Sequence, residues 1–411
     1  MNHRITALFA TAAVLTFSAG AAFAEDQAPA PATPAPAPAA AAPAPPAPPS
    51  LMPSMTAPLA QNPTPMSVDL GPLGSKVYIT GVVSGIGFTQ NHHVAGDQAT
   101  WGDLSNAQIF INKVDGELQY FVDVGTYSLP ALGTLPYVKA TTLTSATYDV
   151  LPMAFIKYAP AALPGFSIQA GKLPTLIGDE YMYTFENSNI ERGLVWGIEP
   201  LVSRGVQANY TTGPVTVNVA WTDGYYSNEY NTISGALTYV VSPTDTVIVQ
   251  GEGQTKKSAR TTSTTLPIYN NSSLYDVIWT HTMGPWSFTP YFQYTSSPAY
   301  AGSGTTKETT TWSGALLATY TFDSKSMLSG VSLPARFEYI AQNKGAGVGS
   351  PLFGPGSNAW SITATPTYTF SHYFVRGEVS YVDIGGGGSG YGSTGTAKDQ
   401  LRGMLELGVI F

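Results

Sequence analysis

The chain of 411 residues contains no cysteine, and only 11% of its residues are charged, with a formal net charge of -8 at pH 7. Without cysteine it has no disulfide, no thiolate metal site and no thiol nucleophile. The sparse and acidic charge argues against nucleic acid as a partner, which would select clustered lysine and arginine. No motif in the sequence predicts a cofactor.

The first 24 residues have the composition of a secretory signal peptide. A basic start at His3 and Arg4 precedes an apolar stretch, and the segment ends in Ala22-Phe23-Ala24. This order predicts export and cleavage before Glu25. The alternative is an uncleaved membrane anchor, which the short apolar stretch and the small residues after it disfavour.

Residues 25–72 are dominated by alanine and proline. Such a tract cannot bury a core, so it predicts an extended, disordered linker on the periplasmic side of the membrane. It could be an inert spacer or a segment that contacts the cell wall. A transporter with a plug would instead need a folded domain at this place.

Residues 73–411 alternate between apolar and polar side chains. Val215, Val217 and Val219 fall on one face of a strand, and Thr216 and Asn218 fall on the other, because successive strand side chains point to opposite sides. No run after the signal segment approaches the roughly 20 apolar residues of a membrane helix. The pattern therefore predicts an all-β protein, a transmembrane antiparallel up-and-down β-barrel.

The alternation predicts about sixteen strands, and a merged or split hairpin would make fourteen or eighteen. Tight links with turn residues, such as Gly213-Pro214 and Gly284-Pro285, should lie on the periplasmic side, and the longer links should be outer loops. The predicted strands are 76–90, 105–114, 117–127, 150–158, 166–172, 202–211, 215–222, 232–241, 245–254, 273–283, 285–295, 310–322, 331–342, 358–370, 372–383 and 399–411.

Charged residues of the last strands fall on the polar face. A charge that faced lipid at the midplane would cost about 2–4 kcal/mol, so these side chains should point into the barrel. At about sixteen strands, the bore should be too wide for side chains alone to fill and should hold water. The predicted pore wall consists of Arg336, Glu338, Arg376, Glu378, Arg402 and Glu406.

The link between the fifth and sixth predicted strands, residues 173–201, is long and acidic. Its single base is Arg192. If it folds into the lumen, acids opposite the basic wall would create a transverse field that sorts solutes by charge. The alternative is an external cap. The predicted constriction residues are Asp179, Glu180, Glu186, Glu191 and Glu199.

The chain resembles a Gram-negative outer-membrane porin and, more narrowly, the OmpL-like putative beta-barrel porin family. The resemblance covers about Val77 to Phe411, and the motif-like match runs from Gly171 to Tyr210, including Gly171-Lys172-Leu173-Pro174 and Ser203-Arg204-Gly205-Val206. The Pro-Glu-Phe-Gly-Gly motif of the general porins is lacking. The terminal Phe411 resembles the aromatic end of the closing strand in bacterial outer-membrane proteins, which is an assembly signal. The resemblance implies insertion into outer-membrane lipid by the barrel assembly machinery and a homotrimer.

Enzymatic motifs are weak. His92 and His93 lie near Asp97 in the first outer loop, where solvated histidines are a better interpretation than a metal site. Neither His281 nor His372 lies in a nucleophile motif. The glycines at 385–388 lack the Lys-Ser/Thr ending of a phosphate cradle and predict a flexible outer loop. We therefore predict no enzyme, and no catalytic or metal site.

The sequence predicts an outer-membrane porin for passive diffusion of small hydrophilic solutes and ions, with a weak preference for cations. The alternative is a non-conducting structural or adhesive barrel that displays its loops. An open lumen would distinguish the porin from the non-conducting barrel. The position of residues 173–201 largely decides whether the lumen is open.

Overall fold

The structure is a computed structural model that describes residues 65–71, 76–264, 268–343 and 352–411. The predicted signal peptide and most of the predicted linker lie outside the described residues. Within that part of the chain, a search for helices long and apolar enough to cross a membrane finds none.

The described residues form one closed antiparallel sheet. Successive strands of the wall pair with one another, and the last strand of the chain returns to close the sheet, with Ile410 opposite Val82 and Arg402 opposite Gln90. The strands are β1 Met66–Asp69, β2 Lys76–Gln90, β3 Thr100–Lys113, β4 Leu118–Tyr127, β5 Met153–Tyr158, β6 Phe166–Pro174, β7 Val202–Thr212, β8 Val215–Thr222, β9 Thr232–Ser242, β10 Asp245–Gln254, β11 Ser273–Met283, β12 Trp286–Ser297, β13 Thr309–Thr321, β14 Val331–Gln342, β15 Ser357–Ala364, β16 Thr367–Phe370, β17 Tyr373–Gly386 and β18 Asp399–Ile410.

Seventeen of these spans, β2 to β18, make the sixteen strands of the barrel wall, which confirms the predicted fold class and strand number. β15 and β16 are two halves of one wall strand, because both pair with β14 and β17 and only Thr365 and Pro366 interrupt them. β1 is an additional short strand, which pairs with residues 76–79 of β2. β3 pairs with one edge of β2, so β1 lies on the other edge, which β18 occupies from Val82 to Gln90.

The boundaries differ from the prediction mainly around the first two outer loops. β3 begins at Thr100, five residues early, because a bulge next to Ser84 lets it continue past Leu104. β5 begins only at Met153, since the preceding segment forms a short helix, α1 Ala140–Ala146, and Asp149 adopts a φ of 65°. The turn prediction at Gly213 and Gly284 fits their φ values of 53° and 57°, which side chains other than glycine rarely adopt.

The outer surface of the wall is apolar. Alternate residues of the strands leave large apolar side chains exposed, as expected of a wall that faces lipid. Aromatic rings meet one another near its two ends, as in the pairs Tyr294–Trp312 and Trp286–Tyr320, with centroids 4.4 and 4.9 Å apart. Such girdles are typical of the levels where the apolar band meets the headgroups.

The inner surface is less polar than the sequence analysis expected. Near one side of the barrel, inward-facing Phe110, Phe121, Phe155 and Phe374 form a buried cluster with Phe185 from the link between β6 and β7. Phe110 and Phe121 stack with centroids 6.2 Å apart. These rings alternate with lipid-facing residues just as the polar residues do, so part of the bore is filled by side chains instead of water.

The outer loops also pack inward. Leu132, Leu194, Phe353 and Tyr391 belong to a second apolar cluster with inward-facing residues of β14, β15 and β17. Tyr391, from the glycine-rich loop, is fully buried, and its ring lies 6.0 Å from that of Phe353. This end of the barrel is therefore covered by loops that contact the lumen and one another.

Candidate functional site in the barrel lumen

The link between β6 and β7, residues 175–201, lies inside the barrel, and we call it the inner loop. Its side chains contact inward-facing residues of the wall, and almost all residues from 182 to 200 are buried. One-turn 3-10 helices at Thr184–Glu186 and Trp196–Ile198 shape it. At Gly193, a Cβ atom would lie only 2.0 Å from Oε1 of Glu338, so glycine permits the close approach to the wall.

Arg336 on β14 is one of three wall arginines that bind this loop. Its Nη1 donates to Oε1 of Glu180 at 2.5 Å and to the carbonyl oxygen of Glu191 at 2.7 Å. Its Nε donates to Glu338 on the same strand at 3.1 Å. Glu338 also accepts from the backbone N–H of Val195 at 3.1 Å. Both wall residues therefore have partners in the inner loop.

Arg376 on β17 repeats this arrangement. It pairs with Glu406 on β18, with Nη2 at 2.5 Å and Nε at 2.8 Å from Oε2. It also donates to the carbonyl oxygens of Thr184 at 2.5 Å and Asn187 at 2.8 Å. The hydroxyl of Thr184 donates to Oε1 of Glu406 at 2.6 Å, so both members of the pair bind the same turn of the loop.

Glu378 and Arg402 are the remaining wall residues that bind the inner loop. Glu378 accepts from the backbone N–H groups of Ile190 at 2.5 Å and Glu191 at 2.9 Å. The Glu191 side chain forms an ion pair with Arg402 and accepts from Ser380 at 2.7 Å. The three arginines are at most 5% exposed. Their charges are therefore matched by carboxylates and covered by the loop.

The part of the lumen lined by β10–β12 carries several carboxyl groups. Glu199 of the inner loop accepts from Tyr291 and, at 2.8 Å, from Gln293 on β12. Asp276 on β11 lies opposite Gln293 in the register and accepts from the backbone N–H of Gly178 at 3.3 Å. Glu252 on β10 lies on the same inward face, diagonal to Asp276.

Burial changes the protonation of the loop carboxyl groups. It raises the pKa of Asp179 to about 6 and, against the favourable charge of Arg336, raises that of Glu180 to about 7. Burial, reinforced by the charge of Asp276, raises the pKa of Glu199 well above its ordinary value, and burial does the same for Glu186. Desolvation disfavours each ionised form.

Two cavities lie between the inner loop and β8–β10. The larger, of about 230 Å³, is lined by Asn218, Ala236 and Gln250 on the wall and by loop residues including Asp179. The smaller, of about 10 Å³, has the wall residue Glu252 in its lining. The free space beside the loop therefore lies along β8–β10, next to Asp179 and Glu180.

The structure brings together most of the predicted site residues. Glu180 and Glu191 pair with the wall, Asp179 lines the larger cavity, Glu199 faces β12, and Glu186 Oε2 accepts from the backbone N–H of Tyr183 at 3.2 Å within the loop. All six predicted wall residues are buried and contact the loop or one another. Phe411 lies apart from this site, and its ring packs over Gly81 at the seam of β2 and β18.

Sequence reasoning missed Asp276. The signal was present, because Tyr275, Val277 and Trp279 are the lipid-facing residues of this strand and Asp276, between the first two, must therefore face the lumen. Among the described residues, no group of three or more His, Cys, Asp or Glu residues has a geometry that could hold a metal ion.

A closed sixteen-stranded barrel with a loop bound inside its lumen has the architecture of an outer-membrane porin. Residues 76–411 match the model of the family described as "Putative beta-barrel porin-2, OmpL-like". The chain belongs to this family, and the family and its structural neighbours place it in the bacterial outer membrane. No curated protein sequence matches it.

Solved porins share the fold at low sequence identity. OmpF of Salmonella typhi, in complex with daunomycin, is 14% identical with a TM-score of 0.56, over 84% of this chain and 100% of that chain. An anion-selective porin from Comamonas acidovorans is 10% identical with a TM-score of 0.54, over 82% and 99%. The channel DcaP of Acinetobacter baumannii is 10% identical with a TM-score of 0.54, over 83% and 99%.

Proposed function

We propose that the protein is a passive diffusion channel for small hydrophilic solutes and ions, with a preference for cations, and not an enzyme. One observation carries the proposal: the inner loop is bound along β14–β18 and leaves polar, inward-facing positions of β8 and β9 partly open. Thr216, Asn218 and Thr238 are half-buried there, beside the cavity of about 230 Å³. Water and small solutes can occupy such a polar space.

The preference for cations follows from the charge inside the barrel. The four buried arginines of the inner loop and the wall around it are Arg192, Arg336, Arg376 and Arg402. The carboxyl groups in the same region outnumber them even without Glu186 and Glu199, whose pKa burial raises well above the ordinary value. The other carboxyl groups are Asp123, Asp179, Glu180, Glu191, Glu252, Asp276, Glu338, Glu378 and Glu406. An acidic lumen raises the local concentration of cations and opposes anions.

A structural or adhesive barrel that does not conduct is the second candidate. The smaller cavity favours it, because about 10 Å³ holds roughly one water molecule. Single-channel current in a planar bilayer decides between the two. Stepwise conductance with a reversal potential toward the cation equilibrium supports the channel, whereas a folded, inserted barrel without current supports the structural role.

We further propose that residues 1–24 are removed on export and that three copies assemble with the help of the barrel assembly machinery. Of the predicted linker at 25–72, Met66–Asp69 is the paired strand β1. We therefore propose a disordered periplasmic linker only for the part ahead of β1, before the barrel domain at 73–411. The intact mass of protein extracted from outer membranes tests the cleavage before Glu25. Native mass spectrometry of the same sample tests the trimer. A mass that includes residues 1–24, or a monomer, would reject the respective proposal.

A further inference from the structure

The two cavities beside the inner loop follow one another along the same strands. The larger touches Asn218, Ala236 and Gln250, and the smaller touches Ala220, Ser234 and Glu252. On each strand the two residues are two positions apart and therefore share the inward face. Pro174, Thr175 and Leu176 close both cavities on the opposite side. The cavities are thus two widenings of one seam between the wall and the start of the inner loop.

The smaller cavity is bounded by a carboxyl group with an unused oxygen. Glu252 is 5% exposed, and its Oε1 has no hydrogen-bond partner. Asp276, diagonal to Glu252, is hydrogen-bonded to Gln293, the residue opposite it in the register. Buried acceptors usually have a donor, so the unused oxygen of Glu252 indicates that this place is suited to a positively charged ligand.

On the arginine side, β14 borders a cavity of about 10 Å³ lined by Ile340, Gln342 and Phe353, and neither Arg336 nor Arg376 lines it. Arg336 and Arg376 are each 1% exposed, and Arg336 donates to Thr363 beneath the loop at 3.4 Å. The loop backbone occupies the position that a solute would need there. Opposed acid and base rows across an open constriction, as the sequence analysis expected, would require these arginines to face water.

We propose that solutes cross the barrel along the seam between β8–β10 and residues 174–176, and that Glu252, with Asp276 and Glu199 beside it, makes this seam select inorganic cations and solutes that carry an ammonium group. The proposal rests on the channel function proposed above and assigns its path and selectivity. Because the smaller cavity holds about one water molecule, residues 174–176 must move away from the wall during passage.

Substituted cysteines test the path, since the chain has none of its own. We would place Asn218→Cys at the larger cavity and Ser234→Cys at the smaller, with Thr363→Cys as the matched position beneath the loop and Ser324→Cys as an exposed control. Each refolded barrel is treated with a small cationic methanethiosulfonate, and the intact mass is followed with time. We expect modification at 218 and 234 to be at least about tenfold faster than at 363. Position 218 is half-buried beside the larger cavity, and position 234 becomes accessible to the reagent when residues 174–176 move, whereas Thr363 is fully buried beneath the anchored loop.

Charge neutralisation tests the selectivity. Glu252→Gln should move the reversal potential under a salt gradient toward anions, and modification of Ser234→Cys should reduce the current. Glu308→Gln, on an exposed outer loop, is the matched control and should leave the reversal potential unchanged. Faster modification at 363 than at 218 and 234, or an unchanged reversal potential in Glu252→Gln, would overturn the inference. A wild-type barrel without current would instead overturn the proposed channel function, so the two failures are distinguishable.

Discussion

Arg376 binds the barrel wall and the inner loop at the same time: its guanidinium pairs with Glu406 on the neighbouring strand and donates to the carbonyl oxygens of Thr184 and Asn187. Planar guanidinium groups suit this role because their donors form a fixed fork. The inner loop is therefore held by its backbone as well as by its charges. A change of loop sequence could preserve the anchoring as long as the two carbonyls remain in place.

Arg376→Ala should lower the free energy of unfolding by about 3–5 kcal/mol, because it leaves the buried Glu406 without its partner. Denaturant unfolding of the refolded barrel, followed by circular dichroism, measures this loss. Arg260→Ala removes an arginine from an exposed outer loop and should change the stability by about 0.5 kcal/mol or less. Equal stability of the two variants would show that the inner loop is not anchored by this arginine.

Removing three acids of the inner loop should shift selectivity toward anions. Asp179→Asn, Glu180→Gln and Glu186→Gln together remove negative charge from the lumen and leave Arg336 without its partner in the loop. The reversal potential under a salt gradient measures the shift. Asp323→Asn is the control, because it also replaces a carboxylate by a neutral amide but lies on an exposed turn between β13 and β14. It should leave the reversal potential unchanged.

The cation preference should fall between pH 8 and pH 5. Burial raises the pKa of Asp179 to about 6 and that of Glu180 to about 7, so both groups take up protons in this window and lose their negative charge. Since the folded state binds these protons more tightly than the unfolded chain, their contribution to stability rises as the pH falls. Reversal potentials at several pH values test this prediction. In the double variant Asp179→Asn, Glu180→Gln, the reversal potential should change less with pH. An equally steep change would show that other groups titrate in this window.

Gly81→Val should impair closure of the barrel. The ring of Phe411 packs so close to Gly81 that a Cβ atom there would lie 2.4 Å from it, and the two residues also exchange both backbone hydrogen bonds. We expect a several-fold lower yield of folded barrel, measured by the fraction that resists protease after refolding. Gly235→Val, on another lipid-facing position with more space, serves as the control. Equal yields would show that the ring adapts without cost.

The barrel and its strands were predictable because the periodicity of two is a local property of the sequence. Lipid outside the wall requires the outward-facing residues to be apolar, as Val215, Val217 and Val219 are. The inward-facing residues have no such constraint, since water, loops and other side chains can all contact them. Phe110 and Phe121 could therefore be recognised as inward-facing, but not as members of an apolar filling.

The arrangement of the inner loop was less accessible from the sequence. Its acids could be found by composition, but which of them meets an arginine depends on contacts between residues far apart in the chain, such as Glu180 with Arg336 and Glu191 with Arg402. The sequence analysis treated the acids as one group facing the arginines. The structure divides them, with Glu180 and Glu191 at the arginines and Glu199 bound to Tyr291 and Gln293 on β12.

The short strand β1 has a consequence for any molecule attached to the end of the chain. It uses the edge of β2 at residues 76–79, immediately beyond the place where Phe411 exchanges hydrogen bonds with Gly81. An extension after Phe411 that continued the strand would need that same edge. A carboxy-terminal affinity tag would thus compete with Met66–Asp69 and release the segment that leads into the barrel, whereas a tag inserted in an outer loop would leave this junction intact.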